Sequence, residues 1–215
     1  MRYFTIISLL LLLISSSVQA DEMENGGSPD PMMYGEVELG TGFFLRPRWS
    51  IKKNYKDAPY DLSLRAAASV SYNRFRLEYG IENRRFEDGK LKVNNYNGIS
   101  VGKARGEIDM TQREFLLLWL KYQHHRISFI GGGPVTLDTD EKMKLTYSGS
   151  AGGGKETIKG TDTARGFKLV VGGKDVGSHV KTAFSYQSVR VSSISGKSFD
   201  MGGYTFTVSL SFGGP

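Results

Sequence analysis

Arg74-Phe75-Arg76-Leu77-Glu78-Tyr79-Gly80-Ile81-Glu82 is the stretch that decides the fold class. Its apolar side chains, Phe75, Leu77, Tyr79 and Ile81, occupy odd positions, and its charges, Arg74, Arg76, Glu78 and Glu82, occupy even ones. A helix would scatter both sets around its axis, whereas a strand puts one set on each face. The same period governs Val37, Leu39, Thr41, Phe43 and Leu45, set against Glu36, Glu38, Gly40 and Gly42. It returns in Leu62, Leu64, Ala66, Ala68 and Val70, in Phe167, Leu169 and Val171 around Lys168, and in Val180, Thr182, Phe184 and Tyr186 around Lys181. The last run, Tyr204, Phe206, Val208, Leu210 and Phe212, alternates with Thr205, Thr207, Ser209 and Ser211. Ile127 and Phe129 mark a strand over 126–131. The segment 114–122 is read as a strand too, although Phe115-Leu116-Leu117-Leu118-Trp119-Leu120 is apolar on both faces and would also suit a buried helical turn.

Eight strands follow, and their connections alternate in length. Those near 71–74, 122–125 and 172–177 are short, while 47–60, 87–111, 134–163 and 190–202 are long, polar and rich in Gly, Lys, Asp and Ser. In an up-and-down meander every second connection lies at the same end, so tight turns gather at one end and large loops at the other. The segment 91–101 either joins a strand or forms a hairpin within its loop.

The 215 residues fit one domain or two small ones, and a composition with 39% hydrophobic and 23% charged residues excludes a wholly disordered chain. There is no cysteine, which removes disulfides, thiolate metal sites and cysteine nucleophiles, and the three histidines leave little for a histidine metal centre. Residues 1–20 have a basic start at Arg2, an apolar core over 6–14 and a small-residue exit at Val18-Gln19-Ala20, the layout of a secretory signal cleaved after Ala20. Residues 21–32 read as a flexible leader, and 33–213 as the barrel domain. The longest apolar run after the signal, 115–120, is too short for a membrane-spanning helix, so the mature chain is soluble or crosses by strands.

The export signal, the eight alternating runs, the loop rhythm and the aromatic final strand Tyr204–Phe212 resemble the small outer-membrane β-barrel proteins of Gram-negative bacteria, the group that includes opacity-type surface antigens. The resemblance implies an all-β fold, an eight-stranded antiparallel up-and-down transmembrane β-barrel in the cell outer membrane. It also implies contact with outer-membrane lipid and lipopolysaccharide, and with the barrel-assembly machinery during biogenesis. That machinery reads a terminal aromatic residue, here Phe212, which Gly213-Gly214-Pro215 follow. A monomer that presents loops for envelope integrity, adhesion or recognition of an extracellular ligand or host surface is the expected product.

In that orientation Glu36, Glu38, Arg65, Arg74, Arg76, Glu78, Glu82, Lys168 and Lys181 face inward, where opposite charges are expected to pair because a lone buried charge is costly. Tyr34, Phe44, Trp49, Tyr60, Tyr72, Phe86, Trp119, Tyr122, Tyr186 and Tyr204 lie near strand ends and suit aromatic girdles. Gly149 to Glu156 approaches a phosphate-binding loop but has Glu156 where Ser or Thr is required, so it reads as a surface loop. Gly131-Gly132-Gly133-Pro134 reads as the end of a strand. His124-His125 with Ser128 touches on the His/Ser/Glu arrangement of lipid A deacylases, yet neighbouring histidines in an extended turn do not face one site. No catalytic, cofactor-binding or metal-binding residue is assigned, and the dispersed basic residues give no nucleic-acid patch. The alternatives are a narrow pore, a lipid-modifying enzyme, and a soluble periplasmic β-sandwich or ligand-binding barrel.

Overall fold

The computed structural model describes residues 33–47, 62–90, 95–97, 99–123, 125–147, 154–192, 194 and 198–214. Its strands are β1 (Met33–Pro47), β2 (Leu62–Tyr72), β3 (Phe75–Lys90), β4 (Asn95–Tyr96), β5 (Ile99–Gln123), β6 (Arg126–Tyr147), β7 (Lys155–Asp175), β8 (Val180–Ser192), β9 (Ser198–Asp200) and β10 (Gly203–Phe212). The eight long ones pair antiparallel in chain order, and β10 closes the ring on β1 from Val37 opposite Phe212 to Phe43 opposite Phe206. Each strand expected from the sequence is present, and the fold is an eight-stranded up-and-down β-barrel. Closure matters because lipid supplies no hydrogen-bond partner to a strand edge.

Three tight turns lie at one end. Asn73 takes the β2–β3 turn with φ 53°, a left-handed conformation that Asn tolerates better than most residues. Gly177, at φ 75°, turns β7 into β8, and the Ser178 N–H donates to the Asp175 carbonyl at 3.0 Å. Val176 N–H reaches the His125 carbonyl at 3.0 Å, which ties this turn to the β5–β6 turn.

The two faces of the strands settle the orientation. Leu64 is 68% exposed and Leu39 57%, whereas Arg76 and Glu114 are 1% exposed. A soluble sandwich or ligand-binding barrel would need the reverse, with apolar faces in the core. An exposed apolar belt around a charged lumen is the arrangement that lipid stabilises. Tyr72, Phe75, Trp119 and Phe212 rim the belt at the tight-turn end, and Phe43, Phe115, Phe167 and Tyr204 rim it at the other. On β5 the belt narrows to Phe115, Leu117 and Trp119, bracketed by exposed Arg113 and Lys121, whose long stems can lie along apolar surface.

Two expectations about the girdle, Tyr34 and Tyr122, need correction. Tyr34 and Tyr122 point into the lumen, where their hydroxyls meet at 3.0 Å, because their even numbers put them in phase with Glu36 and Leu120. Tyr186 is half-buried on the outer face, its ring 5.2 Å from that of Tyr204. Trp49 and Tyr60, and the side chains of Phe44 and Phe86, lie outside the described residues.

The larger correction concerns the long connections. β5 has 25 residues, β6 22 and β7 21, about twice the 9–11 that cross a bilayer. Most of 87–111 and 134–163 is therefore strand rather than loop: β3 runs on to Lys90 opposite Arg105, and β6 to Tyr147. Within 91–101 a small hairpin pairs Asn95 with Ser100 and Tyr96 with Ile99; 91–94 lie outside the described residues, as do most of 47–60. Gly131-Gly132-Gly133-Pro134 likewise falls inside β6 instead of ending a strand. A Cβ on Gly131 would sit 2.0 Å from the Leu117 carbonyl oxygen, so glycine lets β5 and β6 approach closely here.

Candidate functional site

Alternation sends one side chain in two from each strand into the lumen, and the charges among them form two layers. Near the tight turns, Arg76 Nη2 donates to Glu36 Oε2 at 2.7 Å and its Nε to Ser71 Oγ at 3.0 Å. Lys174 Nζ lies 3.4 Å from Glu36 Oε1, and the Tyr122 hydroxyl donates to the Asn73 carbonyl at 3.1 Å.

At mid-height, Arg65 is the hub. Its Nε donates to Glu114 Oε1 at 2.8 Å, Nη1 to Glu38 Oε1 at 2.6 Å, and Nη2 to Glu78. Lys181 joins Glu38 to Glu78, and Lys168 reaches Glu114 Oε2 at 2.6 Å. Arg84 Nη2 donates to Glu82 Oε1 at 2.8 Å. Five carboxylates, Glu36, Glu38, Glu78, Glu82 and Glu114, thus meet six cations, Arg65, Arg76, Arg84, Lys168, Lys174 and Lys181. Each carboxylate has a cation within salt-bridge distance, which is what makes so many buried charges tolerable.

The other side of the lumen is apolar. Leu116, Leu118 and Leu120 of β5 pack with Ile127, Phe129 and Val170, and Lys181 Nζ sits 4.9 Å from the Phe129 ring centre. The run 115–120 that is apolar on both faces is therefore one strand facing lipid with its odd residues and the leucine wall with its even ones. Between wall and charges lies a void of about 10 Å³, lined among others by Glu38, Arg65, Glu78, Phe129 and Lys181. That is room for about one water.

Of the residues expected inward, Glu36, Glu38, Arg65, Arg76, Glu78, Glu82, Lys168 and Lys181 are buried together, and Arg74 is not. Arg74 sits in the β2–β3 turn, where the alternation has ended, and is exposed. Sequence reasoning missed Glu114, Lys174 and Arg84. Parity would have found them: Glu114 is in phase with Leu116, Lys174 with Lys168, and Arg84 with Glu82.

The residues weighed for chemistry do not converge. His124 lies outside the described residues, His125 is exposed in its turn, and Ser128 belongs to the outward-facing set of β6. His179 stacks on Phe212 with ring centres 5.6 Å apart and shares a hydrogen bond with the Ser211 carbonyl. Gly149 to Gly153 also lie outside the described residues, while Lys155 and Glu156 begin β7, where Glu156 accepts the Tyr147 hydroxyl.

Beyond the belt, the same alternation acquires a second meaning. Ile108, Met110, Leu137, Met143 and Leu145 pack inward against Val189, Val191 and Met201, a core that continues the barrel away from the membrane. The outer face carries charge instead: Arg113 pairs with Asp138 at 2.9 Å, and Arg85 with Asp109 at 3.4 Å and with Glu107. β8 leaves β7 above the pair Gly166–Val189, so among the described residues the strand ladder of β7 from 155 to 165 is with β6, while the Ser192 N–H donates to Asp162 Oδ2 at 2.7 Å on its other side. The described residues hold two linked parts, a membrane-spanning ring with a filled lumen and a rigid extension of strands at the end opposite the tight turns.

Among solved structures the chain is similar to small outer-membrane barrels. Ail, the attachment invasion locus protein of Yersinia pestis, aligns at 8% identity over 83% of this chain and 98% of its own, with a TM-score of 0.44. Neisserial surface protein A aligns at 9% identity over 84% and 94%, with a TM-score of 0.33. For the N-terminal β-barrel domain of Pseudomonas aeruginosa OprF the values are 8%, 84% and 97%, with 0.29. No family model matches the chain, and no curated protein matches it. The fold is that of a small outer-membrane-type barrel on the evidence of this chain's own strand ring and apolar belt.

Proposed function

We propose that this chain is a non-enzymatic barrel of the outer membrane whose work is done by the strand extension that it holds above the bilayer. The observation that carries this reading is the inequality of the two ends. One end has turns of a few residues; at the other, β5, β6 and β7 continue well beyond the belt with their own apolar core and a charged exterior. Outer-membrane barrels place short turns in the periplasm and large connections outside the cell. The extension is then the part that meets an extracellular ligand or host surface, while the ring supplies anchorage as a monomer in lipid and lipopolysaccharide. The barrel-assembly machinery inserts it, reading the end of β10 near Phe212. Buried luminal charges that are already paired support a structural role for the lumen rather than acid/base chemistry.

The test uses the absence of cysteine. Lys144→Cys near the end of β6 and Ser178→Cys in the β7–β8 turn each introduce one thiol at a polar site. A membrane-impermeant maleimide applied to intact cells is expected to label the Lys144→Cys chain and to leave the Ser178→Cys chain unlabelled until the outer membrane is opened. The opposite pattern, or recovery of folded chain in the soluble periplasm, would overturn the reading.

A further inference from the structure

At the tight-turn end, the outer faces of β5, β6 and β7 carry three rows in register. Trp119, Ile130 and Val171, all exposed, form the last apolar row of the belt. Lys121, Ser128 and Gly173 form the next row, and Gln123, Arg126 and Asp175 the outermost. Arg126 stands directly opposite Asp175, yet among the described residues no salt bridge joins them. The arginine leans toward the belt instead. A Cβ on Gly173 would lie 3.2 Å from Arg126 Nε and 3.6 Å from Nη2, so the guanidinium occupies the space that this glycine leaves open. Among the described residues Lys121, Arg126 and Asp175 have no ion pair, and the Ser128 hydroxyl has no hydrogen bond.

Snorkelling explains single long cations at a membrane rim, and it acts equally well anywhere around the ring. Here the exposed arginines and lysines described at this end, Arg74, Lys121 and Arg126, share one sector. The Arg74 carbonyl takes the Leu120 N–H at 2.7 Å, which sets Arg74 beside Lys121. Elsewhere on this rim the described exposed residues of the β7–β8 turn, β10 and β1 include His179, Phe212 and Met33 but no arginine or lysine. A snorkelling arginine also carries its charge toward water, whereas Arg126 turns back from the outermost row toward the apolar one. Two cations and a hydroxyl at the edge of an apolar surface call for an anion that arrives with apolar groups attached.

The order of the rows narrows the partner. Rows lie two residues apart along a strand, about 7 Å, and neighbouring strands lie about 5 Å apart. From the belt outward they offer apolar side chains, then cations with a hydroxyl, then the Asp175 carboxylate. A glycerophospholipid with an aminoethyl headgroup presents acyl chains, phosphodiester and primary ammonium in that order and on that scale. An anionic lipid with a glycerol headgroup gives Asp175 no cation, and a trimethylated ammonium gives it no N–H donor. We propose that the rim of β5, β6 and β7 binds one phospholipid of the phosphatidylethanolamine class in the leaflet at the tight-turn end. Its phosphate sits between Lys121 and the Arg126 guanidinium beside Ser128, its chains run along Trp119, Ile130 and Val171, and its ammonium meets Asp175. The proposal deepens the anchorage reading and rests on it for the choice of leaflet.

Full-length mature protein in a non-ionic detergent is incubated with phosphatidylethanolamine, phosphatidylcholine and phosphatidylglycerol of identical acyl chains, and the retained lipid is read by native mass spectrometry. Phosphatidylethanolamine is expected to be retained in preference to the other two. Lys121→Gln/Arg126→Gln is expected to lower its affinity roughly tenfold or more. Asp175→Asn is expected to keep lipid binding and to erase the preference among headgroups, which a general affinity for lipid would not do. Lys142→Gln, in the extension, is the control and is expected to bind as the parent does. Soluble glycerophosphoethanolamine, which lacks the chains, is expected to compete poorly. A heat-dependent gel shift confirms that each variant is folded. Equal retention of the three lipids by the parent, unchanged retention by the Lys121→Gln/Arg126→Gln variant, or a soluble headgroup that competes as well as the lipid would overturn the proposal. Maleimide labelling at Ser178→Cys on intact cells separates the two failures. A shielded Ser178→Cys chain that selects no headgroup sinks this inference alone, and one labelled from outside sinks the reading beneath it.

Discussion

At the scale of single residues, two positions test how the interior is held. Arg65 is shared by Glu38, Glu78 and Glu114, all buried, so removing its charge leaves three carboxylates with two lysines among them. Truncating one partner of a buried ionic group costs about 3–5 kcal/mol, because the remaining charge stays desolvated. Arg65→Leu is therefore expected to lower the urea midpoint of the folded gel band markedly or to abolish that band. Arg113→Leu removes the exposed pair with Asp138 and should stay within about 1 kcal/mol of the parent. Equal midpoints for the two variants would mean that the luminal network contributes no more than a surface pair. Gly131 tests packing rather than charge. Gly131→Val must move the β5 backbone away from a carbonyl 2.0 Å from its new Cβ, and no folded band is expected. Among the described residues Gly35→Ala meets only the Ser69 carbonyl at 3.9 Å, and it should fold normally.

At the scale of elements, the strands beyond the belt are where sequence reading and structure part. Within the membrane, one apolar and one charged face make alternation plain, and Phe75 to Ile81 show it without any context. Past Arg113 the outer residues meet water and become Asp, Lys and Thr, so composition imitates a loop while the period of two persists underneath in Ile108, Met110, Leu137 and Met143. The luminal site was legible in the strands with clean alternation and lost where it blurred: Glu114 begins a run that looks apolar throughout, and Arg74 opens one while still in the turn before β3. Strand structure in the extension makes its own prediction. Backbone held in a ladder resists proteolysis, so trypsin added to intact cells is expected to spare Lys142 and Lys144 despite their polar surroundings. Met143→Asp puts a charge into the extension's core and should open those sites. The heat-dependent shift should survive, because the ring has its own pairings. Rapid cleavage of the parent after Lys144 would mean that the ladder there is not maintained.

At the scale of the whole molecule, the described side chains of the lumen are stacked in layers. The Arg76–Glu36–Lys174 layer lies near the tight turns, the Arg65 hub and the leucine wall at mid-height, and Ile108, Met110, Leu137 and Met201 above them. An eight-stranded ring is just wide enough for side chains to fill, and here the void beside the hub holds about one water. A permeating ion would have to shed its hydration shell, separate paired charges at two levels and then cross an apolar layer. Charged inward positions, which from sequence alone support a narrow pore as readily as a plug, thus become an obstacle once their partners are known. Purified, folded chain in planar bilayers is expected to give no reproducible single-channel steps. Arg65→Leu, where it folds, should give none either, because the leucine wall and the upper apolar layer remain. Stepwise conductance from the parent chain would require the Arg65 hub to open in the membrane, and would turn the lumen from an anchor's core into a working path.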